Sequence, residues 1–338
     1  MPSDVEQVSR PAAAAPRQRT CTLLSIVTPA FNESENLPVL YLRLVRVLDE
    51  LGIPWEWVIV DDHSRDDTFA VISRLARSDP RVRGLRFARN FGSHTALACG
   101  LHHARGACAV VMAADLQDPP ETIPALLNEW RQGAHVVWAV RRRREGESAA
   151  TIGTARIYYW LMRHVAGMKE LPSTGADFFL ADRKVLEAFR EFRESNTSVT
   201  ALITWLGFRQ SRILYDKQAR LHGRSGWNLE KKIKLLVDSI TSFSYVPVRI
   251  MSYVGLLVAT LGFLYAGFIL VNAAIGKPAQ GWSSLMVVVL VLGGCQILMM
   301  GVLGEYLWRA LEECRGRPRY LIEEQTEPET PGDARSDT

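Results

Sequence analysis

Three short segments carry the side chains most able to do chemistry: Pro29-Ala30-Phe31-Asn32-Glu33, Asp61-Asp62-His63-Ser64 and Asp115-Leu116-Gln117-Asp118. Taken singly, a polar residue of this kind is a helix cap, and Asp66 and Ser93 are read that way. Three acidic segments that each follow an apolar, β-rich run ask for more than solvated turns. Hard carboxylate oxygens suit a divalent ion and the phosphates it bridges, so the expected ligand is a metal-bound phosphate or a sugar nucleotide. A run of four arginines, Arg141 to Arg144, lies further on. Its generic reading is a nucleic-acid patch, disfavoured here because no stacking aromatics interleave with it.

The elements that must position these residues alternate. Leu23–Thr28, Trp57–Asp62, Val82–Phe87, Cys108–Ala114 and Ala134–Val140 read as strands, with helices near 36–50, 66–78, 93–105 and 121–132. Near-continuous apolar strands separated by single helices predict an α/β fold with a parallel sheet covered on both faces. In such a sheet the chemistry gathers at the carboxyl ends of the strands, and all three acidic segments fall there.

The remainder of the 338 residues is unevenly apolar. Charged residues at 22%, hydrophobic residues at 48% and a mean hydropathy of +0.00 exclude wholesale disorder and a multi-span transporter. The net charge is +4, and five cysteines without a C-x-x-C pair exclude a disulfide scaffold and fit a reducing compartment. Residues 1–20 are read as a mobile tail rather than a signal peptide, and the acidic stretch 323–338 as a second disordered tail. Between them, Ser252–Ala274 and Ser283–Gly304 are uncharged apolar runs, each of about the twenty residues needed to span hydrocarbon. Tyr253, Trp282, Tyr306 and Trp308 lie near their ends, where interfacial aromatics belong. The short connection carries only Lys277, while Arg249, Arg309, Arg315, Arg317 and Arg319 flank the pair, which puts both flanks and the large N-terminal region in the cytoplasm. Ahead of the first run, Leu229, Ile233, Leu236, Val237, Ile240 and Phe243 recur at helical spacing with Lys231 and Lys234 between them, an amphipathic helix expected at the bilayer surface. The domain reading is a tail at 1–20, a cytoplasmic catalytic domain at 21–225, a juxtamembrane helix at 226–248, a membrane hairpin at 249–308 and a cytoplasmic tail at 309–338.

The segments TPAFNESENLP, VIVDDHSRDDT, RNFGSHTALACGL, ADLQDPPE, STGADFFLADRKV and RSGWNLEKKIKLLVDSITSFS resemble, in order and spacing, glycosyltransferase family 2, and within it the polyisoprenyl-phosphate glycosyltransferases. The resemblance runs from about residue 23 to 324 and implies a GT-A type, mostly parallel sheet flanked by helices, followed by the interfacial helix and two transmembrane helices. It implies that Pro29, Phe31 and Glu33 hold a nucleotide, that Val60 and Asp62 line the base pocket, and that Ala114 also meets the donor. Asp115 and Gln117 would bind Mg²⁺ or Mn²⁺. Arg141 and Arg143 would meet the donor diphosphate or the acceptor phosphate, a match for guanidinium geometry. Asp177 is implied near the acceptor in an orienting role, with general base as the lesser option, because a lipid phosphate oxygen is already anionic. Arg220 and Ser225 match a loop that closes over phosphates. Arg89, Asn90 and Ser93 either shape the nucleotide pocket or cap a helix.

Three positions depart from the family pattern. Ala113 stands where a first carboxylate is usual, Phe179 where an arginine is frequent, and Gly226 where a lysine is frequent. They are the case for an alternative, a catalytically impaired membrane scaffold that binds a nucleotide sugar. A processive polysaccharide synthase is disfavoured, since there is no Q-x-x-R-W segment and only two spans. The expected reaction is inverting transfer of a sugar, UDP-linked by resemblance, to undecaprenyl phosphate at the cytoplasmic face of a bacterial inner membrane. No nucleic-acid partner is expected, and the spans and interface helix offer surfaces for a homo-oligomer.

Overall fold

A computed structural model of the protein describes residues 19–142, 177–192, 198–218, 244, 246–275 and 281–326. Its centre is an eight-stranded sheet: β1 (Leu24–Ala30), β2 (Trp55–Asp61), β3 (Val82–Phe87), β4 (Cys108–Val111), β5 (Val136–Arg141), β6 (Phe179–Asp182), β7 (Gln210–Tyr215) and β8 (Ile322–Gln325), in the spatial order β7-β5-β6-β4-β1-β2-β3-β8. β1 pairs in parallel with β2 and β4, β2 with β3, and β5 with β7. β6 is antiparallel to both β4 and β5, and β8 is antiparallel to β3.

The central strands are apolar on both sides because both faces are covered. On one face, α1 (Asn36–Glu50), α2 (Thr68–Ser78) and α4 (Ile123–Arg131) pack against the sheet. In α1 the residues Leu37, Leu40, Leu44 and Leu48 repeat at helical spacing and meet Leu24, Ile26 and Trp57 in one cluster. On the other face, α3 (Ser93–His103), α5 (Arg183–Arg190) and α6 (Val199–Trp205) bring Leu97, Leu101, Phe189 and Leu202 onto Val27, Val111, Trp138 and Phe179. Ile26 and Val27 enter opposite clusters, the two-residue period of a strand buried on both sides. Gly100 lets α3 settle on β1: a Cβ there would lie 2.3 Å from Val27 Cγ1.

Two long helices complete the chain, α7 (Val246–Ala274) and α8 (Trp282–Arg315). Both contain segments long and apolar enough to cross a membrane, Val246–Ile269 and Leu285–Arg315. Their apolar side chains are not a buried core: Phe263 is 79% exposed and Ile297 75%. A hairpin hydrophobic on all sides and uncovered by protein has lipid as its natural surrounding. The Tyr306 hydroxyl donates to the Ser244 carbonyl at 2.6 Å, tying α8 to the chain just ahead of α7, and Glu305 pairs with Arg309 at 3.9 Å.

Several expectations change. The sheet is mostly parallel, as the family resemblance implies, but not wholly so: β6 is inserted antiparallel between β4 and β5, and this strand, β7 and β8 are not among the strands read from the apolar pattern. Residues 322–325 form the edge strand β8 rather than a disordered tail. Ser93 is the first residue of α3, not its cap; Gly92, with φ 95°, occupies the cap position. Asp67 stands at the α2 cap, while Asp66 accepts from Thr68 N at 3.1 Å. The expected amphipathic helix lies almost entirely outside the described residues.

Candidate functional site

Strand direction assembles the site. β1, β2, β3, β4, β5 and β7 run the same way, so the loops after all six open at one edge of the sheet. Because β6 runs against them, its first residues come to that edge too, and Asp177, two residues ahead of β6, joins the loops after β4 and β5. Among the described residues, the three non-glycine residues with positive φ all fall in these loops: Asn32 (57°), His63 (58°) and Leu116 (61°). Left-handed backbone in such residues is held only where surroundings over-determine it, and it concentrates at functional sites.

The β1 and β2 loops brace each other. Asn32 N donates to Ser64 Oγ at 2.9 Å, Arg65 N donates to Asn32 Oδ1 at 2.9 Å, and Glu33 N donates to Thr68 Oγ1 at 2.8 Å. Glu33 Oε2 accepts from Asn36 Nδ2 at 2.6 Å. Asp61 is fully buried and accepts from both the backbone N–H and the hydroxyl of Ser64; burial raises its pKa, against the opposing effect of those bonds. Asp62 accepts from Phe91 N at 2.6 Å and from Gly92 N at 2.9 Å. Burial pushes its pKa up from 3.8 to about 6, and the two N–H groups hold it from rising further. Its carbonyl also accepts from Asn90 Nδ2 at 3.2 Å. Asp62 is thus the clamp that holds the loop after β3 against the β2 turn, and its carboxylate oxygens are used in doing so. Asn90 joins the clamp, while the Arg89 guanidinium sits 4.3 Å over the Phe91 ring.

At the other half of the edge, Asp115 is buried and accepts from Gln117 N at 3.2 Å. Gln117 is tied to the segment after β7: its carbonyl accepts from Gln218 N at 2.9 Å. Asp118 is 1% exposed; one oxygen accepts from the Tyr215 hydroxyl at 2.6 Å, Lys217 Nζ lies 4.0 Å from the same oxygen, and the other has no hydrogen-bond partner among the described residues. Burial raises its pKa, against Lys217 and Tyr215. Burial, then Asp118, push the Tyr215 phenol up as well. The Arg141 guanidinium faces this group: burial pulls its pKa down, but Tyr215, Asp177 and Asp118 outweigh that and raise it. His94, in the first turn of α3, is held low by burial against the pull of Asp177. A fixed cation among carboxylates at a sheet edge is an arrangement suited to a leaving phosphate and its counter-ion.

Not every expected residue presents its side chain. Phe31 stands out at 43% exposure and Pro29 is half-buried, both open to a ligand. Val60 and Ala114 are packed in the core, so neither side chain lines an open pocket and only their backbone is available. Phe179 lies in β6, its ring 5.0 Å from that of Trp138, so this position is a core site and holds no phosphate contact. Arg143, Arg220, Ser225 and Gly226 lie outside the described residues. Sequence reasoning placed Asp118 in an acidic segment without giving it a role and missed its partner Tyr215, 97 residues away; only the β7 register brings the two together.

Residues 25–190 match the model of glycosyl transferase family 2, and residues 246–309 match the GtrB C-terminal hairpin. An uncharacterized glycosyltransferase of Synechocystis sp. is 39% identical over 300 residues, 88% of this chain and 94% of that protein. A bactoprenol glucosyl transferase of Shigella phage SfX is 39% identical over 302 residues, 88% of this chain and 98% of that protein. Among solved structures, a glucosyl-3-phosphoglycerate synthase of Mycobacterium tuberculosis aligns with a TM-score of 0.48 at 16% identity, covering 66% of this chain and 80% of that one. The chain belongs to glycosyltransferase family 2 and has its GT-A architecture. It is a glycosyltransferase that carries the family's catalytic sheet and a GtrB-type helical hairpin in one polypeptide.

Proposed function

We propose that this enzyme transfers a sugar from a UDP-linked donor to undecaprenyl phosphate, at the cytoplasmic face of a bacterial inner membrane, with inversion at the sugar carbon. The observation that carries this reading is where the chain leaves the sheet. β7 ends at the site edge and leads, through residues outside the description, to α7; the segment after α8 re-enters at the same edge, where the Leu321 carbonyl accepts from Ala88 N at 3.0 Å. Both tethers to the apolar helices therefore attach beside the acidic loops. This placement favours an acceptor whose tail lies in lipid and whose phosphate rises to the sheet edge. Departure from and return to one sheet require an even number of crossings, and Arg249, Arg309, Arg315, Arg317 and Arg319 favour the cytoplasmic side for both flanks. The 39% identity to a bactoprenol glucosyl transferase supports a polyprenyl acceptor.

The chemistry follows from the side chains. The acceptor oxygen is already anionic near neutral pH, so no strong base is needed, and Asp177 serves to orient. Charge develops on the departing diphosphate, and Arg141, a half-buried cation at the same sheet edge, is assigned to offset it. Arg143, Arg220 and Ser225 are assigned to phosphate binding on the family resemblance alone. Pro29, Phe31 and Glu33 belong to the nucleotide end. Mg²⁺ or Mn²⁺ fits the donor set: among the described residues, Asp115 offers carboxylate oxygens, Asp118 keeps a buried oxygen without a hydrogen-bond partner, and no group of three or more acidic, His or Cys residues forms a metal cage. Such ions bind through one or two carboxylates plus substrate phosphates, and when bound the ion neutralises diphosphate charge. Asp115 would hold it with Gln117 beside it.

The test is a donor panel. Purified, detergent-solubilised enzyme is given radiolabelled UDP-, GDP- and dTDP-sugars with undecaprenyl phosphate. Label moving into the organic phase from a UDP-sugar, only when the lipid phosphate is present, supports the reading. Nucleotide binding without transfer from any donor would favour the impaired scaffold.

A further inference from the structure

Strand β8 is the last described element, yet it is built into the donor half of the sheet. The Tyr320 ring stacks on Phe87 with centroids 5.2 Å apart, Thr326 N donates to the Gly84 carbonyl at 3.0 Å, and Gly84 N donates to Thr326 Oγ1 at 2.6 Å. Gly84 has no space for a side chain, since a Cβ there would meet Ile72 Cγ2 at 2.3 Å and Thr326 Cγ2 at 3.0 Å. The strand that returns from α8 is thus fitted to β3 rather than laid on it.

From this strand Glu323 reaches back toward the β2 turn. Its Oε2 lies 3.7 Å from His63 Nδ1 and 3.6 Å from Arg86 Nε. Arg86 Nε is in turn 3.8 Å from Asp61 Oδ2, an oxygen on a fully buried side chain with no hydrogen-bond partner among the described residues. His63 has left-handed backbone, and its Nδ1 lies 3.0 Å from the Phe87 carbonyl. One carboxylate from beyond the helical hairpin therefore meets both the strained residue of the turn and the cation that offsets its buried aspartate.

We propose that Glu323 is a positioning residue for the nucleotide end of the donor site, acting on His63 directly and on Asp61 through Arg86. The proposal rests on the donor-site reading above. Its consequence is that the segment following the membrane-type helix is part of the donor site, so that the hairpin and the nucleotide pocket are mechanically joined.

The test uses the full chain in detergent, with UDP titrated as the probe and steady-state transfer measured alongside. Glu323→Gln removes the charge and keeps the size. It should weaken UDP binding and raise the donor KM by about threefold, the reach of one partly exposed ion pair with Arg86 beside the polar contact to His63, with kcat and the lipid-phosphate KM unchanged. Glu323→Asp, which keeps the charge on a shorter stem, should fall between the two. Wild-type UDP affinity in Glu323→Gln, or an equal loss in kcat and in the lipid KM, would overturn the proposal while leaving the donor site standing. A wild-type chain that binds neither UDP, GDP nor dTDP would overturn the donor-site reading and this proposal together.

Discussion

Replacing Asp62 with asparagine separates stability from donor binding, and the structure supplies both magnitudes. Asp62 holds Phe91 N at 2.6 Å and Gly92 N at 2.9 Å. An asparagine keeps one oxygen for one of these and turns its NH₂ toward the other. Losing a charge-assisted bond costs about 1.5–3 kcal/mol, and a buried N–H left without an acceptor costs about 1–3 kcal/mol. Against this, burial already disfavours the charge: a pKa raised from 3.8 to about 6 corresponds to about 3 kcal/mol at 1.36 kcal/mol per pH unit. The terms are of similar size, so at pH 7 the variant should melt within a few degrees of the wild type. The loop at 89–92, however, loses one of its two anchors on the Asp62 carboxylate, and UDP affinity should fall about tenfold, the equivalent of one hydrogen bond of about 1.4 kcal/mol. The pH dependence has a definite sign. Because the folded-state pKa of Asp62 is raised, its stabilising contribution is fully present below 3.8 and is lost as pH rises through about 6. The asparagine variant would carry no such dependence, so the wild type should gain about 1 kcal/mol relative to Asp62→Asn between pH 7 and pH 5. Thermal melting at the two pH values and calorimetric titration with UDP read both effects. A variant with wild-type UDP affinity, or a stability gap that moves against the wild type on acidification, would refute the reasoning.

Other substitutions test the opposite half of the site. Asp115→Asn should abolish Mn²⁺-supported transfer, and its melting temperature and membrane insertion should match the wild type; turnover at the wild-type rate would remove Asp115 from the metal role. Tyr215→Phe strips the hydroxyl that donates to Asp118 at 2.6 Å and leaves that carboxylate with no hydrogen bond among the described residues. The expected cost is about 1–3 kcal/mol in thermal stability, with lower kcat as the Arg141 surroundings loosen. A double-mutant cycle with Asp118→Asn should show coupling of at least about 0.5 kcal/mol, and additive effects would mean the pair does not act as a unit.

How far the chain can be read without its structure differs from element to element. The strands β1 to β5 were legible because both their faces are buried, which leaves near-continuous apolar runs such as WVIV in β2 and CAVV in β4. The β6 strand is four residues long, and its short apolar run, Phe178 to Ala181, is too brief for periodicity to tell strand from helix; its antiparallel placement depends on pairing with β4 and β5. β8 reads as a charged tail because an edge strand needs only one covered residue, here Ile322, and its glutamates remain exposed. Site loops were legible as chemistry; the directions of the side chains were not. Val60 and Ala114 were assigned to the donor by position, but they point into the core. The Asp118–Tyr215 bond and the reach of Glu323 to the β2 turn join residues far apart in the chain, and only the strand order brings them together.

Transfer in sealed, oriented vesicles tests most directly the claim that the sheet edge meets a lipid phosphate at the cytoplasmic face. Vesicles containing the full chain and undecaprenyl phosphate are prepared inside-out and right-side-out, and labelled UDP-sugar is added outside with Mn²⁺. The account predicts chloroform-soluble label in the inside-out vesicles and almost none in the right-side-out ones until they are permeabilised. Equal labelling of intact vesicles of both orientations, or labelling only of the right-side-out ones, would contradict it.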